Sequence, residues 1–513
     1  MSDSLRAPWL RGIAFNPAAP SDVLVRLLDR AAGEAGPLLC ERRDLPDAVL
    51  DAALRHPDGV IRRALACNGY VDPTRLTPLA TDPSGIVRGW LAGGPRHHPR
   101  RVRPLPDDIL VSLLTAQDGG EDGKLTANEI IGCLESSRQM PPSFFRSLTD
   151  HENPEIRILA TWRWESLTPA QQAGLLDDPE PAIREEAWDR SWGSDPERVE
   201  ARLPSFGPRN AFVFSACAPS SALVEQCFAD GTEHLLAQNR HTPAHALARL
   251  ARHPGAGVRA LIATRPDLEP DLVAELQEDP HAEVRMRARL HPFARTWAEY
   301  WAIDWGIGHG PDCACPIGEP FAEPNPDPAV GPSPDWFTAC ASSEEPVLRR
   351  VAASWPGLSA DLVETLARDD DEEVRIRLAC HHPLAPPHLL LEVFVARPAH
   401  RPHVRDLPTF PRTGWAHLVA HPDPEVRALA AADPDLPNPP LDDPDPAVRR
   451  AAATNPNLSP HTLEALLTDP GTAEGAAANP ALPVRRMHAL LDHGLSGTAT
   501  APPAARRGET TPT

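Results

Sequence analysis

Lysine is almost missing from this chain of 513 residues: Lys124 stands alone among many arginines. With the high Ala and Pro content this reads as coding bias, and it excludes no function. An apolar run of about 18 residues is also missing, so no membrane-spanning helix is expected. The opening MSDSLRAPWLRGIAF has neither a long apolar core nor a small-residue cleavage site, so no signal peptide is expected. The nine cysteines are scattered and odd in number, unlike a secreted disulfide framework. A reduced cytoplasmic setting follows as the expectation. Positive charge is in deficit: the formal net charge is -21, which opposes general binding along a phosphate backbone. The only basic cluster is RHHPRRVR at 96–103. Nucleophile elbow, phosphate loop, HExxH helix and dinucleotide fingerprint are all absent. The chain therefore reads as something other than an enzyme.

Proline, in contrast, is plentiful at 62 residues, while the apolar fraction of 41% is that of an ordinary globular protein. A disordered Pro-rich chain is poorer in aliphatics. The combination predicts frequent short elements punctuated at fixed places. The stretches at 267–292, 357–383 and 457–480 show this: each runs from Leu through a capping residue or Pro into an aliphatic stripe, then an Asp-rich break. A Val-Arg or Ile-Arg step recurs at Arg62, Arg88, Arg157, Arg184, Arg259, Arg285, Arg375, Arg427 and Arg449, with Arg349 filling the gap. Arg62 to Arg88, Arg259 to Arg285 and Arg349 to Arg375 are each 26 residues apart, and Arg427 to Arg449 is 22. Fixed-period self-similarity of this size means a repeat array, in which each unit buries too little alone and stacking closes the core.

The unit explains its own composition. Ser459 caps a helix with Pro460 in its first turn, and Leu463, Leu466 and Leu467 line one face. Asp469-Pro470 ends it, because the residue before Pro is pushed out of the helical region. Asp423 and Pro424 start a second short helix with Val426, Leu429 and Ala430 inward. The recurring arginines could present a guanidinium ladder to an acidic ligand, but are read as an ion-pair ladder with neighbouring Asp and Glu residues, for example Glu283, Glu373 and Glu425. Cys67 and Cys380 share one small-apolar slot and are packing residues. His97-His98 and His381-His382 fall at unit ends and read as loop residues.

The stretch VRRAAATNPNLSPHTLEALLTDP at 448–470 resembles the bacterial leucine-rich repeat variant family. The resemblance is best over 241–292 and 346–480 and recognisable over 42–95 and 138–190. It implies an all-α, HEAT-like α-solenoid, a right-handed superhelix of about 24–27-residue two-helix repeats. The described member of that family carries an iron–sulfur module built from clustered cysteines near its N-terminus. Here Cys40 stands in that region without the cluster, so the module is not carried over. The expected organisation is N-terminal repeats at 1–103, an irregular segment at 104–137, central repeats at 138–292 (191–240 degenerate), an insertion at 293–334, C-terminal repeats at 335–495, and a disordered tail at 496–513.

Function is expected at the interruptions. Arg88 and Arg157 are 69 residues apart, not a whole number of units. The surplus contains DGGEDGKLTANE, which resembles an EF-hand loop: Asp118, Asp122, Lys124 through its carbonyl, Thr126 and Glu129 fall at ligand positions, with Gly123 at the sharp turn. Gly120 removes one side-chain ligand. A Thr126–Glu129 capping box explains two of the rest without metal. Between Arg285 and Arg349 lies the second insertion, where Trp297, Trp301 and Trp305 recur every four residues beside Tyr300. That stripe either packs onto the array or anchors a partner, since aromatics dominate binding hot spots. His309, Cys313 and Cys315 follow it, three ligand types suited to zinc but short of the four that a structural site needs.

The leading functional expectation is a scaffold holding an unidentified protein on a solenoid face or on the aromatic insertion, with no resident cofactor. A calcium- or metal-responsive adaptor is the alternative, and a HEAT-like nucleic-acid enzyme the remote one, disfavoured by charge. No membrane association is expected.

Overall fold

A computed structural model describes residues 3–95, 104–115, 127–193, 217–308 and 332–495 apart from 138, 141 and 408, together with 198–201, 203 and 214. Among the described residues every regular element is an α- or 3₁₀-helix. The fold is all-α, built of short helices in repeating pairs. The EF-hand-like residues Asp118, Asp122, Lys124 and Thr126, and the trio His309, Cys313 and Cys315, lie outside the described residues.

One repeat shows why these sequences fold this way. Asp445 accepts from the Ala447 amide and opens the helix Pro446–Ala453, whose first turn begins with Pro446. Val448, Ala452 and Ala453 are buried on its inner side. A turn at Asn455-Pro456 follows, and Ser459 caps the helix Pro460–Leu466 by accepting from Thr462 N at 3.1 Å. Leu463 and Leu467 are buried, and Leu466 is half-buried. Asp423 likewise caps Pro424–Ala431, with Val426, Leu429 and Ala430 inward. Each helix is too short to persist alone, so burial of these aliphatics against neighbouring repeats supplies its stability.

The arginine ladder is structural, and the acids that fork its arginines are aspartates rather than Glu283 or Glu373. Arg62 forks onto Asp82, Nε to Oδ2 at 2.6 Å and NH2 to Oδ1 at 3.1 Å. Its NH1 donates to the carbonyls of His56 and Pro57. The same fork joins Arg157 to Asp178, Arg259 to Asp279, Arg349 to Asp369 and Arg427 to Asp443. Each of these aspartates also offers its backbone carbonyl to the arginine of the following step, Arg88, Arg184, Arg285, Arg375 or Arg449. Each of these aspartates, four of them followed by proline and Asp369 by Asp370, therefore joins two arginines. Glu283 instead pairs with Arg287, and Glu373 with Arg350. The guanidinium beside each of Asp178, Asp279 and Asp443 holds its carboxyl below the usual range.

A second ladder occupies the residue at the end of the inner helix. Asn455 Nδ2 donates to the carbonyls of Ala431 and Asp433, and Asn479 Nδ2 to those of Ala453 and Asn455. Asn68 does the same to Cys40 and Arg42, and Asn239 to Phe214 and Cys217. The amide oxygen meanwhile accepts from the backbone two residues on. All of these asparagines are buried, so each one satisfies backbone carbonyls that water cannot reach. Arg42 and Arg265 take the same place, reaching back to two carbonyls while an aspartate two residues on neutralises the charge.

The chain divides into two compact units, Met1–Met140 with Arg412–Thr513, and Pro141–Pro411. The first unit is discontinuous in sequence, and its two segments meet as neighbouring repeats. Asn16 Nδ2 donates to the carbonyls of Ala477 and Asn479, and Trp9 Nε1 to that of Leu467 at 2.8 Å. Arg11 pairs with Glu474 and Arg26 with Asp492. In this unit the asparagine ladder thus runs from Asn455 through Asn479 to Asn16, Arg42 and Asn68, crossing from the last repeats to the first.

Candidate functional site

The aromatic helix Trp297–Gly308 belongs to the second unit and was the sequence's strongest candidate for partner binding. Thr296 and Glu299 form its start, Glu299 Oε2 accepting from the amides of Arg295 and Thr296 and Thr296 Oγ1 from Glu299 N. Tyr300, Ala302, Ile303 and Gly306 are its buried residues. Gly306 allows close approach, because a β-carbon there would collide with Val351 Cγ2.

The four aromatics do different jobs. Tyr300 is fully buried, and its hydroxyl donates to the Leu261 carbonyl at 3.2 Å. Burial pushes its phenol pKa up, so it stays a neutral donor. Trp297 is half-buried, with the Arg265 guanidinium 4.8 Å from its ring centroid. Trp305 is half-buried too, with Arg377 at 5.2 Å. Arg377 also reaches the Gly306 carbonyl at 3.4 Å, placing a buried cation at the helix C-terminus. Trp301 lies between the two, edge-on to Tyr300 with centroids 4.9 Å apart, and is 44% exposed. Tyr300 thus locks the helix to the array, while Trp301 faces outward.

Below the helix, Arg287 NH1 reaches Asp304 at 2.8 Å. At its far side Trp336 Nε1 donates to the Phe293 carbonyl at 2.7 Å, and Phe337 stacks on Trp355 with centroids 4.8 Å apart. The helix is therefore held at several points by aromatic and ionic contacts, leaving one large apolar side chain facing solvent.

Of the calcium-loop residues, Glu129 alone is described; it is exposed in the first turn of Ala127–Ser137. Among the described residues no group of three or more His, Cys, Asp or Glu side chains converges in a way that could hold a metal ion. The buried thiols are chemically quiet: burial pushes Cys40 up to about 12 and Cys217 up to about 11. Cys380 is buried and Cys67 half-buried, as packing residues should be. His382 lies just past the helix end, as a loop residue should, but away from solvent. It is fully buried, caps the helix Glu372–His381, and accepts from Leu384 N at Nδ1, which places it on the asparagine ladder. Sequence reasoning missed that ladder, although Asn-Pro at 16–17, 455–456 and 479–480 repeats along the chain.

Among the described residues no helix is long and apolar enough to cross a membrane. No curated protein matches the chain. A family model for the leucine rich repeat variant matches residues 446–471, the stretch that holds the Asp445-capped helix, Asn455 and the Ser459-capped helix. The chain is thus an all-helical array of capped short pairs, one stretch of which, 446–471, matches the leucine rich repeat variant.

Proposed function

We propose that this protein is a non-enzymatic scaffold that holds another protein through the aromatic helix, with Trp301 as the anchor. The observation that carries this is the contrast along one helix. Tyr300 is buried, Trp297 and Trp305 are clamped by arginines, and Trp301 is 44% exposed on that rigid support. A rigid, half-desolvated tryptophan loses little side-chain entropy on binding, which is why such residues serve as hot spots. Repeat architecture supports the same reading, because it builds large surfaces from units preserved for stacking.

The test is a cross-linked pull-down from native lysate with the wild-type chain and Trp301→Ala, using Leu384→Ala as an exposed apolar control (Leu384 is 56% exposed). A protein retained by wild type and the control, and depleted at least about tenfold by Trp301→Ala, is the expected result. Equal capture by all three chains removes Trp301 from the function.

A further inference from the structure

The contacts joining the first repeat to the last reproduce those between neighbours inside the array. Asn16 reads the carbonyls of Ala477 and Asn479 as Asn479 reads those of Ala453 and Asn455. Gly12 stands four residues before Asn16, as Gly475 stands before Asn479. A β-carbon at Gly12 would strike Glu474 O and Ala477 Cβ, and one at Gly475 would strike Arg450 O and Ala453 Cβ. The faces are also complementary in charge. The N-terminal side supplies Arg11 and Arg26, and the C-terminal side supplies Glu474 and Asp492.

Such a seam is heterologous: two different faces, each the complement of the other. Its partners lie as far apart in sequence as Trp9 and Leu467, separated by 458 residues, so no local chain constraint selects the N-terminus of the same molecule. We propose that the seam is a self-association surface, on which the C-terminal face of one copy takes the N-terminal repeat of a second copy in exchange for its own. The occupant is a second copy because the face asks for several features at once. It needs an amide in register with two carbonyls, a glycine at the point of closest approach, an indole donor for the Leu467 carbonyl, and two arginines opposite two acids. The N-terminal repeat of this chain carries all of them. Within one chain the two faces are tethered, which favours closure at low protein concentration. Exchange therefore grows with protein concentration, and grows further when closure within a chain is weakened.

Charge reversal separates the two pairings. One chain carries Arg11→Glu with Arg26→Asp, a second carries Glu474→Arg with Asp492→Arg, and a third carries all four changes. Either double variant alone sets like charges across its own seam, which shifts its balance towards the open form on the order of tenfold. Mixed together, the two double variants offer opposite charges at both exchanged seams. Light scattering on the mixture is expected to show about twice the single-chain mass of 55.6 kDa, with the four-change variant remaining a single chain. A mixture that stays at single-chain mass, while the four-change variant recovers the thermal midpoint lost by the double variants, overturns the proposal. Should a double variant fail to fold, wild-type batches labelled with donor and acceptor dyes take their place. Energy transfer that develops after mixing at high concentration supports exchange, and its absence after a day overturns it.

Discussion

His382 shows how much one position on the ladder carries. Asparagine fills the equivalent place at 16, 68, 239, 455 and 479, where one side chain accepts a local amide and donates to two carbonyls. His382 keeps the acceptor half, from Leu384 N, but its buried Nε2 has no hydrogen-bond partner among the described residues. Burial lowers its pKa from 6.5 to about 4. The unfolded chain therefore binds a proton that the folded chain refuses, and stability declines as pH falls from about 6.5 towards 4. His382→Asn is expected to gain about 0.5–1.5 kcal/mol at neutral pH by completing the pair of donor bonds. It should also flatten the fall in thermal midpoint between pH 7 and pH 4.5, measured by calorimetry against wild type. An unchanged slope would show that this imidazole does not govern the acid limb. The arginine positions were legible in the sequence because they recur at one register. Their partners were not, because Asp82 or Asp279 lies 20 residues downstream and nearer glutamates compete for attention.

At the scale of elements, capping chemistry was the most readable feature. Ser459, Asp423 and the prolines after them start helices where the sequence placed them, because these caps act locally. The aromatic helix was legible as a helix with a stripe, but its buried face was not. Periodicity alone cannot say whether the Trp row or the Tyr300–Ile303 side meets the array. Gly306 decides it, since only a residue without a β-carbon lets this helix approach Val351. Gly306→Leu is expected to cost about 1–3 kcal/mol through overpacking, read from urea unfolding of the intact chain. Gly257→Ala is the control: no atom lies within 4 Å of a β-carbon there, and the change should be neutral or gain about 0.5–1 kcal/mol from helix propensity. Equal losses at both positions would mean that close packing against Val351 does not set the helix in place.

For the whole molecule, the period gave the array, but no sequence pattern announced that 412–495 and 3–140 share one compact unit. The repeat pattern is recognisable from residue 42 and stops at 480, so nothing in it marks the two ends as partners. Their pairing is a tertiary fact, carried by Asn16, Trp9 and Gly12. It makes a prediction at this scale. A chain ending at residue 411 loses the carbonyls that Asn16 bonds and the surface that covers Trp9. Amides of the helix Arg6–Phe15 should then exchange with deuterium at least about tenfold faster, while those of Pro270–Gln277 in the second unit keep their protection. Uniform loss across both helices, measured by mass spectrometry, would show that the two units do not hold their stability separately.

The same pairing sets a schedule for synthesis. Trp9 emerges from the ribosome 458 residues before the carbonyl it bonds. At about 5–20 residues per second, its docking face stays bare for roughly 20–90 seconds, with a buried-type indole and the Leu10 side chain open to whatever is nearby. Every nascent chain must pass that interval, so a chaperone holding the N-terminus, or a finished molecule with a free C-terminal face, has its opportunity then.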